Sequence, residues 1–216
     1  MTRGGRNQVN ELNEEKKTGP VKLGQKIKCF NFSTYNPATD SFEEHNFSEY
    51  SLEGKWLVVY FYPADFTFVC PTELADIGGY YERLKEMNVE VVAISTDTKF
   101  SHLAWCKAEK LLKDVRFQMA SDPTGEISEF FGVYDKEAGT ALRGTFIINP
   151  DSVLVGSEIN YYNVGRNAAE LVRKMLAYTY VQANPHHVCP AAWKEGESVL
   201  MPSEKLVGCV ADFLNQ

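Results

Sequence analysis

Apolar and polar residues along this chain follow two rhythms. Lys55–Ala64, KWLVVYFYPA, is almost continuously apolar, the pattern of a strand buried on both faces. Val89–Thr96 repeats it. Gly144–Pro150 and Val153–Ile159 are two more strands, joined by Asn-Pro-Asp-Ser, a turn signal that predicts a hairpin. Between these runs the period changes to that of a helix. Pro71–Met87 places Leu74, Ile77, Tyr81 and Leu84 on one face, with Gly78-Gly79 weakening the middle or marking a bend. Lys99–Leu112 and the shorter Asp122–Phe131 are further helices. Gly165–Ala183 is the strongest, with Leu171, Val172, Met175, Leu176 and Thr179 along one side. The order β-α-β-α-α-β-β-α predicts an α/β domain with a central mixed sheet and helices packed on it.

Both ends lack this periodicity. Residues 1–20 are polar, end in Gly19-Pro20 and read as a flexible arm. The periodic region, 21–183, is the expected domain. From Asn184-Pro185 to residue 216 the chain becomes rich in Pro and Gly, a tail that wraps something and ends in a weak helix from Ser203.

Composition narrows the function classes. A chain of 216 residues, 44% hydrophobic and 24% charged, is long enough to bury a core unaided. A net charge of −7 without a basic stripe argues against nucleic-acid binding. No apolar run is long enough to span a bilayer, and the start has no secretory h-region, so a cytoplasmic location is expected. The five cysteines (Cys29, Cys70, Cys106, Cys189 and Cys209) contain no CxxC pair, which disfavours a zinc ribbon or a dithiol oxidoreductase.

Cys70 is the candidate centre of chemistry. The buried strand runs out at Pro63, and a helix begins within a few residues, at Cys70 or earlier near Asp65 or Thr67. Either start places the sulfur beside unpaired backbone N–H groups, where a thiolate is favoured. Cys70-Pro71-Thr72-Glu73 has the spacing of a capping box with cysteine in place of serine. Arg143, just before a strand, is the candidate cation. Thr67 lies three residues before Cys70, within hydroxyl reach, and Pro63 packs over the pocket. These features alone leave two readings of Cys70, an activated thiolate and a buried inert thiol. Cys189, in His186-His187-Val188-Cys189, is ambiguous on its own; no second ligand pair accompanies it for zinc.

A resemblance separates the readings of Cys70. Pro63-xxx-Thr67-xx-Cys70 resembles the active-site motif of the peroxiredoxins, and Phe66–Glu73, FTFVCPTE, is similar to their typical two-cysteine branch. Ser101–Trp105, Ser121–Gly125, Leu142–Pro150, Val164–Arg166 and Val188–Gly196 extend the similarity in order, across roughly residues 21–215. Within that branch the chain looks most like the peroxidase subunit of bacterial alkyl hydroperoxide reductase. The resemblance implies a thioredoxin-like fold and a peroxidase without a cofactor. It makes Cys70 peroxidatic and Cys189 of a partner chain resolving, with Thr67, Arg143 and Pro63 in the catalytic pocket. It implies a hydroperoxide substrate, a thioredoxin-like protein or flavoprotein disulfide reductase as electron donor, and a homodimer assembled into a ring-shaped decamer. Glu73 is expected to anchor Arg143 rather than act as a base. Peroxide-sensitive members carry a Gly-Gly-Leu-Gly loop and a terminal Tyr-Phe pair. Here Lys110–Asp114 and Val210–Gln216 lack both, so Cys70 is expected to resist over-oxidation. Cys29 and Cys106 read as packing residues, and Cys209 as buried or competing with Cys189. His102 and Trp105 are expected to pack or cap, and His186 and His187 to be solvated. The rival functions are a holdase or peroxide relay, a thioredoxin-like oxidoreductase and a cysteine hydrolase.

Overall fold

A computed structural model describes residues 19–214. Most of the expected N-terminal arm, 1–18, lies outside the described residues, as do the last two positions. The four strongest apolar runs form strands where periodicity places them: β3 (Trp56–Phe61), β4 (Val89–Ser95), β8 (Arg143–Ile148) and β9 (Leu154–Asn160). β8 and β9 make the expected antiparallel hairpin. At its turn the Asn149 side-chain oxygen accepts from the amides of Asp151 and Val153, which is why Asn-Pro-Asp-Ser reverses the chain.

Five strands were not predicted: β1 (Asn31–Asn36), β2 (Ser41–Asn46) and β5 (Gln118–Ser121) of the main sheet, and β6 (Tyr134–Asp135) with β7 (Thr140–Ala141), which pair as a separate ribbon. A short helix, α1 (Phe47–Leu52), follows β2 and was also unpredicted. The main sheet is seven-stranded and mixed, in the order β2-β1-β5-β4-β3-β8-β9. β3 is an interior strand of it, parallel to β4 and antiparallel to β8.

Alternation along β3 explains its unbroken apolar character. Trp56, Val58 and Tyr60 enter one core and Leu57, Val59 and Phe61 the other. The first core lies under α2 (Cys70–Gly79), α3 (Tyr81–Glu86), α4 (Lys99–Ala108) and α6 (Ala168–Ala183). The second lies under α1 and α5 (Glu126–Phe130). Each fully buried aliphatic side chain contributes roughly 2 kcal/mol, so covering both faces makes this strand the anchor of the domain.

The helices differ from expectation mainly at their ends. The 71–87 helix is two helices, broken at Tyr80 directly after Gly78-Gly79. α4 gives way to a 3-10 turn over Lys110–Asp114. α5 starts at Glu126 because Asp122 accepts from the amides of Ile127 and Ser128, forming a turn ahead of it. α6 starts at Ala168, capped by Asn167. The weak terminal helix is a 3-10 turn at Glu204–Leu206 followed by α7 (Val210–Leu214).

Candidate active site

Cys70 sits where a buried strand hands over to a helix. β3 ends at Phe61, the loop 62–69 turns over the end of that strand, and α2 begins at Cys70 itself, with Pro71 in its first turn. The thiol is fully buried. The capping box is not realised: Val69 is the N-cap residue, without a side-chain cap, and Glu73 turns elsewhere.

Sheet topology brings Arg143 to the sulfur. Because β8 runs antiparallel to β3, its first residue lies beside the end of β3, and Tyr60 pairs with Thr145. Arg143 Nη1 therefore donates to Cys70 Sγ at 3.4 Å. The same nitrogen donates to Glu73 Oε2 at 2.6 Å, and Arg143 Nε donates to the Tyr162 carbonyl. The guanidinium is fixed on three sides before any substrate arrives.

Arg166 completes this network. It was visible in the Val164-Gly165-Arg166 motif but had been given no role. Its Nε and backbone N–H both donate to Glu73 Oε1 at 2.8 Å, and Nη1 donates to the Gly144 carbonyl. Its guanidinium carbon lies 3.4 Å from the centre of the Tyr60 ring, a stacked cation–π contact. Gly165 allows the approach: a methyl group there would stand 3.3 Å from Val69 Cγ1. One carboxylate thus pairs with two buried guanidiniums. Burial pushes the Glu73 carboxyl up, but the hydrogen bonds and charge of Arg166, with the charge of Arg143, hold it below the usual glutamate range. Burial likewise opposes charge on Arg143, and Cys70 and Glu73 together outweigh it.

A second buried group holds the loop from behind. Asp65 accepts from Tyr62 Oη and pairs with His102 Nδ1, both at 2.8 Å. His102 Nε2 faces the Ala120 carbonyl at 3.1 Å. Both ring nitrogens are thus engaged, one by a carboxylate and one by a backbone carbonyl. The Asp65 backbone N–H donates to Asp97, so the loop is tied to β4's end as well. Phe66, next in line, has φ of +55°, a left-handed conformation that this anchoring holds in place. His102 is thus a packed, bonded residue, as expected.

The other candidates lie as follows. Pro63 is buried in the loop. Thr67 is half-buried, and its hydroxyl donates to the Ala64 carbonyl at 2.8 Å rather than to sulfur. Its lone pairs remain free to accept. Cys189 is half-buried and unpaired, in a groove of about 410 Å³ along α6. Burial raises its thiol, partly offset by the charge of Arg173. The two cysteines are not joined within one chain. His186 is exposed, but His187 stacks on Tyr180 and bonds its hydroxyl, so only the first is solvated. Cys106 is half-buried against Met119, and Cys29 is exposed rather than packed.

Comparison with known proteins identifies the family. The sequence profile of the AhpC/TSA family matches residues 23–157. Alkyl hydroperoxide reductase C of Staphylococcus haemolyticus is 46% identical over 186 residues, covering 86% of this chain and 97% of that protein. The crystal structure of Enterococcus faecalis AhpC aligns with a TM-score of 0.73 at 39% identity, covering 78% of this chain and 98% of that one. The reduced 2-Cys peroxiredoxin of Plasmodium vivax aligns with a TM-score of 0.82 at 30% identity, covering 91% of this chain and all of that one. With nearly the whole length of these relatives matched, this chain belongs to the AhpC/TSA family and is a peroxiredoxin.

Proposed function

We propose that this peroxidase reduces hydrogen peroxide and organic hydroperoxides through Cys70, resolved by Cys189 of a partner chain. The observation that carries the reading is the Arg143 donor 3.4 Å from Cys70 Sγ at the first residue of α2. A thiolate there is met by a fixed cation and by helix N-terminal amides. It attacks the distal oxygen of the peroxide. The S–O bond forms, the O–O bond breaks, and the leaving oxygen takes back from solvent the proton that the Cys70 thiol released, departing as water or alcohol. Arg143, held by Glu73, stabilises charge building on the oxygens without reorganising. Thr67, its own proton committed to Ala64, accepts from the peroxide's O–H. Pro63 closes the pocket to water.

The product is a sulfenic acid on Cys70. Cys189 sulfur attacks it, the S–S bond forms, and the hydroxyl leaves as water with the Cys189 proton. A thioredoxin-like protein or a flavoprotein disulfide reductase then returns two electrons by exchange. The cycle serves antioxidant defence and redox homeostasis in the cytoplasm, where cysteines stay reduced.

An intersubunit disulfide needs a homodimer. Beyond Leu154, whose backbone groups bond to Gly24 and Gln25, the outer edge of β9 pairs with no other strand among the described residues and carries exposed Ile159, so a second copy can extend the sheet there. A separate aromatic face, with exposed Phe42 and Phe100 in edge contact, suits the further association of dimers into a ring of ten chains. The tail end supports resistance to over-oxidation. α7 is five residues long and buries none of them, leaving little to hold the tail against detachment.

Peroxidase assays of Cys70→Ser and Cys189→Ser test the reading. Cys70→Ser should lose all turnover; retained activity overturns the nucleophile assignment. Cys189→Ser should lose thioredoxin-dependent turnover and accumulate oxidised Cys70. Full turnover would instead point to Cys209 or to a one-cysteine cycle. Consumption of only one peroxide per chain, with reductant present, would favour a relay over an enzyme.

A further inference from the structure

The loop that carries Cys189 is folded onto α6 rather than trailing from it. Val188 and Leu200 exchange both backbone hydrogen bonds, closing the loop at its base. Trp193 is buried, donates Nε1–H to the Glu197 carbonyl and packs on the Tyr180 ring. Cys189 lines the groove beneath, with Ala177 and Val181 of α6.

Besides this ring contact, three side-chain hydrogen bonds join this loop to the helices among the described residues. Tyr180 meets His187, Arg83 meets Glu195 on the exposed surface, and Arg173 Nη1 donates to the Trp193 carbonyl at 2.9 Å. The last differs in kind. Its donor is charged, its acceptor belongs to the backbone of a buried residue, and its direction is set in advance. Glu170, one turn earlier on α6, receives Arg173 Nε and Nη2 at 2.7 and 2.9 Å, which aims Nη1 at the loop. Arg173 also lines the groove that holds Cys189.

From this groove Cys189 cannot reach a Cys70 that is fully buried at the start of another chain's α2, so the loop must leave α6 before the disulfide forms. We propose that Arg173 is a positioning residue for the resolving step: aimed by Glu170, it latches the Cys189 loop to α6 and sets how often Cys189 is released. This rests on the assignment of Cys189 as the resolving thiol. Release exposes the sulfur and also removes the burial that raises its thiol, so opening favours reaction as well as access. While latched, Cys189 is sheltered from peroxide and from adventitious thiols.

The test uses the full chain with Arg173→Gln, Arg173→Lys and Glu170→Gln. The rate of Cys189 alkylation by iodoacetamide in the reduced protein reads the latch itself. Losing one charge-assisted bond at a partly exposed site should raise it about fivefold in Arg173→Gln. Disulfide formation after one equivalent of peroxide should accelerate by a similar factor, and sulfinic Cys70 should then need about fivefold more peroxide. Arg173→Lys, which keeps a charged donor without the fork, should fall between wild type and Arg173→Gln. Glu170→Gln should shift in the same direction, less. Unchanged or slower alkylation in Arg173→Gln overturns the latch. Faster alkylation with no change in disulfide formation also overturns its role in resolution. Normal thioredoxin-dependent turnover by Cys189→Ser would strike the underlying assignment instead, whatever the alkylation rates show. An Arg173→Gln chain that fails to fold leaves Arg173→Lys and Glu170→Gln to decide, and equal alkylation rates in these two and wild type overturn the proposal.

Discussion

The surroundings of Cys70 and Cys189 are opposites. Around Cys70, three charged side chains are buried together: Glu73, Arg143 and Arg166 are each under 5% exposed at the side chain. Glu73 accepts from both guanidiniums, which also donate to the Tyr162 and Gly144 carbonyls, and the loop behind is pinned by the buried Asp65–His102 pair. Around Cys189, the ties are few and the loop's strongest charged anchor, Arg173, is about a quarter exposed. The first arrangement holds a reacting atom still in a pre-set field, which lowers the cost of reorganisation during reaction. The second is built to let go, since a segment with few buried contacts opens at small free-energy cost. One cysteine needs a fixed site to react with a small molecule; the other must travel to react with the first.

Breaking the fixed site should have the largest effect. Glu73→Gln removes the negative partner of two buried guanidiniums, and breaking a buried ion network costs about 3 kcal/mol or more. The chemical-denaturation midpoint should fall accordingly, and peroxide reduction should drop by at least tenfold as Arg143 loses its anchor. A wild-type midpoint would mean that the network is not coupled to the fold. Asp65→Asn should come next, at about 2 kcal/mol, because one of the two buried carboxylate oxygens that engage Tyr62 and His102 becomes an NH2 group that cannot accept. Stopped-flow peroxide reduction should slow as the loop loosens, while an unaffected rate would remove Asp65 from any part in holding the site.

Acid sharpens the comparison further. Glu73 titrates below its usual range when folded, so its contribution is present above about pH 4.3, the unfolded value, and is lost as pH falls through the folded value. Wild-type stability should therefore decline below about pH 4 more steeply than that of Glu73→Gln, in parallel thermal melts. The smallest expected effect concerns the mobile site. Burial holds the Cys189 thiol protonated, so its alkylation in Cys70→Ser should reach half-maximal rate at a pH above that of an ordinary thiol, about 8.5. Alkylation with an ordinary midpoint would mean that the loop is already open.

The unequal legibility of the fold has particular causes. β3 and β4 were readable because both of their faces are buried, so nearly every residue in each is apolar. β2 was not, because it is an edge strand: Glu43, Glu44 and His45 face solvent or bond to one another there. β5 has four residues, too few for a period to show. Gly78-Gly79 was read as a possible bend and is one, since the helix breaks just after it. Glu73 illustrates the limit of local reasoning. Its position three residues after Cys70 fits a capping box, but two arginines compete for its carboxylate, and charge-assisted bonds in a buried site win over a neutral backbone donor.

By itself, the sequence determined that Cys70 stands between a doubly buried strand and a helix, because apolar runs and helical spacing are local properties of a chain. Its motifs likewise marked Cys189 and the Val164-Gly165-Arg166 segment. Only the tertiary structure decided which charges meet. Arg143 is 73 positions from Cys70, and Arg166 is 93 from Glu73. They converge because antiparallel β8 lies against β3 and because the chain returns from β9 beside α2. Only the packed chain, too, showed Arg173 beneath the Cys189 loop, since a hydrogen bond to a backbone carbonyl 20 residues away leaves no signature in residue type. Strand order and loop closure are global outcomes of burying two cores at once, and no window of sequence contains them.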